Sequence, residues 1–180
     1  MPDTLNNLTR LSTVMAWLAT FGLVAWPAMT VAAFLWPGST DSLMFGADNL
    51  GALLNASVPA AFRVAALAFS LGAELFTVWA LWSLRKLLLL YARSEVFSPR
   101  ALKLLNDIAV AMFAGVITGF AVQAPITLLL SWPLGPDHRQ ISLGFGSGDA
   151  ATLFCAGVVL VIARVMVEAR RLADENAKFV

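Results

Sequence analysis

Few residues in this chain have the type and spacing to do chemistry, and Glu74 is the most informative of them. It stands about ten residues into an apolar run from Val64 to Leu84, hence roughly 15 Å along it at 1.5 Å per helical residue. If that run crosses a membrane, the carboxyl sits close to the midplane. There it must face the protein interior, be paired or be protonated. The functional reading is a proton- or cation-responsive site; the plainer one is a residue that fixes helix packing. Arg164, in a later apolar run, is the natural partner. Its stem can instead carry the guanidinium to the headgroups. Gln123 and Thr118 can supply hydrogen bonds within the apolar region, where helix–helix adhesion is their expected use.

Outside the apolar runs, Asp137-His138-Arg139 is the one cluster that looks like an active-site set. It lacks the three or four convergent ligands of a metal centre, and Asp41, Asp48 and Asp149 could join it only if distant loops fold together. A solvated turn is the expectation, although His138 is a residue type that can serve as an external pH sensor. His138 is the only histidine and Cys155 the only cysteine. A haem held by two histidines of one chain, an internal disulfide and a thiolate cluster are therefore all excluded. Cys155 is expected to be a small buried hydrophobe. No nucleophile–base pair, Cys-x-x-Cys or phosphate loop is present, so neither an enzyme nor a cofactor is expected.

The elements that must position these residues follow from composition. Of 180 residues, 59% are hydrophobic and 13% charged, with a mean hydropathy of +0.80, against about 25% charged in a typical soluble domain. Four runs reach the ~20 residues that a hydrocarbon core requires: about 11–36, 64–84, 108–132 and 150–167. The expected fold is all-α, a single four-span membrane domain built as a four-helix bundle. The first run is too long for the core of a cleaved signal peptide. Pro27 and Pro125 fall inside spans, where each removes an amide donor and can kink the helix.

Orientation is read from Lys and Arg, which cytoplasmic loops retain. Arg85, Lys86, Arg93, Arg100 and Lys103 lie between the second and third runs; Arg170, Arg171 and Lys178 follow the fourth; Arg10 precedes the first. The other two loops hold only Arg63 and Arg139. Both termini and the middle loop are thus expected in the cytoplasm, with the chain in the inner cell membrane. Leu35-Trp36-Pro37-Gly38 and Ser131-Trp132-Pro133 read as interfacial exits. In the first outer loop Leu43, Met44, Phe45, Leu50, Leu53 and Leu54 suit a short interfacial helix or lid. In the second, glycines precede Asp149 at an expected N-cap.

Ser98-Pro99 is the best-specified polar signal, an N-cap followed by proline at the first helical position. Phe97 and Leu102 are spaced for a hydrophobic staple. A helix should begin at Pro99, making an inward hairpin of about 85–107, and the last span should continue as a cytoplasmic helix over about 168–177.

Residues 84–106, LRKLLLLYARSEVFSPRALKLLN, resemble the middle of the YoaS-like family, small bacterial four-helix membrane proteins of unknown function. Glu95, Val96, Phe97 and Ser98 match its pattern, while Ser94 replaces the usual glycine. The close, VMVEARRLADENAKFV, is similar to the family's ending through Glu175, Asn176 and Val180. The resemblance implies no reaction and no catalytic residue. It does imply a small helix-turn-helix regulator encoded nearby.

Three function classes follow. The first is a membrane-bound regulator or sensor holding a small cytoplasmic helix-turn-helix protein. Its contacts would be Arg93, Glu95, Phe97, Arg100 and Lys103 on the hairpin, and Glu168, Arg171, Glu175 and Asn176 on the last helix. The second is a small oligomeric transporter or channel around Glu74, and the third an accessory subunit of a larger membrane complex. The lipid bilayer is a partner in each. Homo-oligomerisation fits the second, and direct nucleic-acid binding fits none, because no basic block is present.

Overall fold

The computed structural model of the chain describes residues 2–36, 53, 57–93, 95 and 98–176; side chains are described from residue 9 onward, except those of 173, 174 and 176. Among the described residues there are four long α-helices and no strand: α1 (Pro2–Leu35), α2 (Ala60–Ala92), α3 (Pro99–Ser131) and α4 (Ser147–Asn176). Four stretches, one on each helix, are long and apolar enough to cross a membrane: Thr9–Leu35, Ala60–Ala92, Pro99–Leu134 (which runs on into the turn after α3) and Ser147–Leu172. With 33 residues each, α2 and α3 run to about 50 Å, against a ~30 Å hydrocarbon core. Both helices are therefore longer than such a core requires. α1 and α3 continue unbroken through Pro27 and Pro125.

Burial is distributed as a bilayer demands. Trp17, Phe21, Leu75, Ile117 and Phe154 are each at least 66% exposed, a surface that lipid can cover and water would penalise. Among the described residues, half of the buried apolar side chains are alanines, Ala16, Ala66, Ala101, Ala109 and Ala163 among them. Small residues at helix contacts let backbones approach closely where lipid tails are as apolar as leucine. Cys155 is exposed rather than buried, which corrects the expectation for it. An apolar run reads the same whether a residue meets protein or lipid.

The helices contribute to two compact units. One takes Met1–Leu23, Phe76–Ala114 and Gly148–Val180. Its buried cluster joins Leu87 of α2, Ala101, Leu105 and Ile108 of α3, and Ala163 of α4, with Tyr91, Val159 and Met166 packed against it. The other takes Val24–Leu75 and Gly115–Ser147, around Phe34, Leu53, Val58, Ala66, Ile126 and Leu130. Of the apolar residues expected to form an interfacial helix or lid, Leu53 is buried in this second cluster, while Leu43, Met44, Phe45, Leu50 and Leu54 lie outside the described residues.

Local chemistry explains the helix ends. Ser98 Oγ accepts the Ala101 N–H at 3.1 Å, the N-cap bond that starts α3 at Pro99. Phe97 and its staple lie outside the described residues. The Glu95 N–H reaches back to Leu90 O at 3.1 Å, a six-to-one bond of the kind that closes a helix C-terminus. α4 begins at Ser147, so Asp149 stands in its first turn rather than at the N-cap, where a carboxylate still suits the positive end of the helix dipole. Beyond α3, two short 3₁₀ turns, Trp132–Leu134 and Pro136–His138, meet at Gly135. Its φ of +104° is a backbone setting that glycine adopts without strain.

Candidate functional site

In the first unit, the end of α2 and the start of α3 line a cleft of about 450 Å³. Lys86 and Arg93 come from the α2 side, Arg100, Lys103 and Asp107 from α3. Four cations thus face one carboxylate, and among the described residues none of the four forms an ion pair. Lys86 lies 5.1 Å and Arg85 5.5 Å from the centre of the Trp82 ring, within cation–π range. Arg85 Nε also donates to Thr20 Oγ1 of α1 at 2.9 Å. On α4 of the same unit, Arg171 lies 3.7 Å from Glu168 and 3.2 Å from Glu175, all three exposed. Glu95 is also exposed; the side chain of Asn176 is outside the described set.

In the second unit, Thr30 donates its hydroxyl to Glu74 Oε1. Thr30 is 2% exposed, and Glu74 Oε2 is shut off from solvent without a hydrogen-bond partner. The hydrogen-bond partner described for Glu74 is thus Thr30. Of the two expectations for Arg164, a partner for Glu74 or a guanidinium reaching the headgroups, its position exposed on α4 beside Val161 and Val165 favours the second. That placement suits a snorkelling guanidinium. Thr118 is half-buried and makes no side-chain hydrogen bond among the described residues.

Gln123 has a more specific use than helix adhesion. Its Nε2 donates to Gly144 O at 3.0 Å, and its Oε1 accepts the Gly144 N–H at 2.6 Å. Thr127 Oγ1 accepts the Ser142 N–H at 3.1 Å. Ser131 Oγ accepts the Gln140 N–H and donates to Gln140 O, both at 3.2 Å. Four residues of helix rise about 6 Å and two of extended chain about 6.6 Å. The ladder 123–127–131 therefore matches 144–142–140 rung for rung. Thr127 and Ser131 were not singled out from sequence; the every-fourth-residue polar spacing on α3 is the signal that could have found them.

Among the described residues the Asp137-His138-Arg139 cluster does not assemble a site; Asp41 and Asp48 lie outside them. Asp137 and His138 are exposed in a 3₁₀ turn, and the Arg139 guanidinium lies 3.9 Å from the centre of the Trp132 ring. Among the described residues no three His, Cys, Asp or Glu side chains converge as metal ligands.

Four helices, each long and apolar enough to span a bilayer, define by length and composition a helical multi-pass membrane protein. Within that class, the family model described as "Protein of unknown function (DUF2975)" matches residues 25–180, and the chain belongs to that family. The expectation of a family of unknown function holds at this level. No curated protein and no solved structure matches the chain.

Proposed function

We propose that this is a non-catalytic membrane protein that holds a small cytoplasmic regulator against the hairpin and the end of α4. One observation carries the reading. The hairpin residues Leu87, Ala101, Leu105 and Ile108 share a buried cluster with Ala163 of α4, so the polar segments beyond it are presented from one packed unit. A surface made from two helix extensions is preorganised, which lowers the ordering cost of docking. Arg93, Glu95, Arg100 and Lys103 on the hairpin, and Glu168, Arg171 and Glu175 on α4, are all exposed there. The Lys and Arg distribution supports placing this surface, and both termini, in the cytoplasm of a cell with the chain in its inner membrane.

Replacing Glu168, Arg171 and Glu175 together by Ala should abolish co-purification of the partner while leaving membrane insertion intact. Unchanged co-purification sinks the reading. A reporter active only outside the cytoplasm should work after Gly135 and fail after Val180; activity at Val180 sinks the orientation. A second reading, transport around Glu74, is favoured by the solvent-excluded Oε2 that lacks a partner. It predicts that Glu74→Gln blocks a solute flux in proteoliposomes, whereas the docking reading predicts no flux to block.

A further inference from the structure

We propose that the cleft between α2 and α3 binds the phosphate headgroup of an anionic glycerophospholipid. The charge is the first reason. Lys86, Arg93, Arg100 and Lys103 face a space holding the single carboxylate of Asp107, and no ion pair among the described residues neutralises them. The second reason is where two of these cations stand. The first turn of α3 contains no acidic residue, and Arg100 lies in it with Lys103 just after. Cations at a helix N-terminus oppose the dipole, whereas an anion there is favoured by it. An occupying phosphate turns an unfavourable arrangement into a favourable one.

The wall of the cleft decides between a lipid and a soluble phosphate. Leu89, Leu90 and Leu104 line it beside the cations, so the occupant must be apolar as well as anionic. A soluble phosphate would leave those leucines uncovered; a phospholipid covers them with the start of its chains. Trp82, 42% exposed and flanked by Arg85 and Lys86, is the residue type that settles at the headgroup level. It marks this end of α2 as interfacial, and basic pockets between membrane helices are suited to anionic headgroups. The inference goes beyond the docking reading and needs no protein partner. Where both hold, the lipid sets the charge of the surface that the regulator meets.

The test uses the purified full chain in neutral detergent with no partner present. Mixed micelles of phosphatidylcholine and phosphatidylglycerol are offered, and retained lipid is counted by native mass spectrometry. Phosphatidylglycerol should be retained in preference, and Lys86→Gln, Arg100→Gln and Lys103→Gln should each weaken retention about fivefold. The charge-keeping pair Arg100→Lys with Lys103→Arg should retain it, as should Glu168→Gln on α4. Should the α3 substitutions unfold the hairpin, Lys86→Gln, within the continuous part of α2, must still show the loss. Equal retention of the two lipids, or retention indifferent to all three substitutions, overturns the proposal. Inorganic phosphate protecting the chain against thermal unfolding as well as phosphatidylglycerol does would place a soluble anion in the cleft and overturn the lipid. In a separate co-purification from native membranes, loss of a cytoplasmic partner in the glutamine variants, with lipid retention intact, would assign the cleft to a protein and overturn the proposal equally.

Discussion

Along α3, Gln123, Thr127 and Ser131 spend their polar atoms on the backbone of residues 140–144. At the hairpin, by contrast, Lys86, Arg93, Arg100 and Lys103 surround a cleft without an ion pair among the described residues. Both are polar sets on long apolar helices, but one is internally satisfied and the other is not. Irregular chain next to membrane helices must have its N–H and C=O groups paired, so the α3 ladder is explained by the fold alone. Cytoplasmic retention of Lys and Arg places cations in this segment but does not require four of them around one cleft, and the proposed lipid answers that surplus. Substitutions in the two regions should therefore behave oppositely. Cleft variants should lose binding at little cost in stability, and ladder variants should lose stability.

The largest loss of stability belongs to the apolar contact under the cleft. Ala101 is fully buried in the cluster that joins α2, α3 and α4. Ala101→Leu should cost about 3 kcal/mol by overpacking a close helix contact, read as the shift in an SDS unfolding midpoint. Next comes the ladder. Gln123→Leu, Thr127→Val and Ser131→Ala combined should cost about 2 kcal/mol, since each bond is worth about 0.6 kcal/mol or more in a membrane protein and the orphaned backbone groups add to that. Limited proteolysis between residues 139 and 146 should accelerate in the triple variant. By comparison, Arg100→Gln with Lys103→Gln should not lower stability at all, because it removes cations from a helix N-terminus. A large loss there would show the cations to be structural.

A smaller effect is expected at Thr30. Thr30→Val removes the only described hydrogen-bond partner of Glu74 and should cost about 1 kcal/mol; Thr30→Ser, which keeps the hydroxyl, should recover most of it. An equal loss in both variants would show that the methyl packing of this buried residue matters more than its bond.

What could be read from sequence divides along the same line. The four spans were legible because length and hydropathy are properties of a single run, and the α3 start was legible because Ser98 caps a neighbour three residues on. The cations of the cleft were legible as a group, since they crowd one loop. The ladder was not, because its rungs join residues nine to 21 apart through a segment whose return path no local pattern announces. The Thr30–Glu74 bond spans 44 residues, and an arginine is the more obvious partner for a carboxylate than a threonine is. Cys155 failed for a different reason: in a helix apolar on every side, the face that meets protein carries no compositional mark.

The smallest stability change is expected where the docking reading is most exposed to test. Arg171 stands within ion-pair distance of Glu168 and Glu175, but its side chain is 65% exposed and theirs are 55% and 51%. Pairs of this kind at three- and four-residue spacing contribute at most about 0.5 kcal/mol, because water screens them and two long side chains must be held still. Arg171→Ala should therefore leave the unfolding midpoint almost unchanged. If the surface of α4 serves only the fold, co-purification of the partner should be equally unmoved. If it serves docking, binding should fall several-fold with no change in the midpoint, because a rim charge acts on association rather than on packing. Raising the salt concentration should then weaken wild-type binding toward the level of the variant, since the Debye length shortens to about 3 Å at 1 M. Binding that is insensitive both to salt and to Arg171→Ala would count against docking on α4, as unchanged co-purification in the triple variant would.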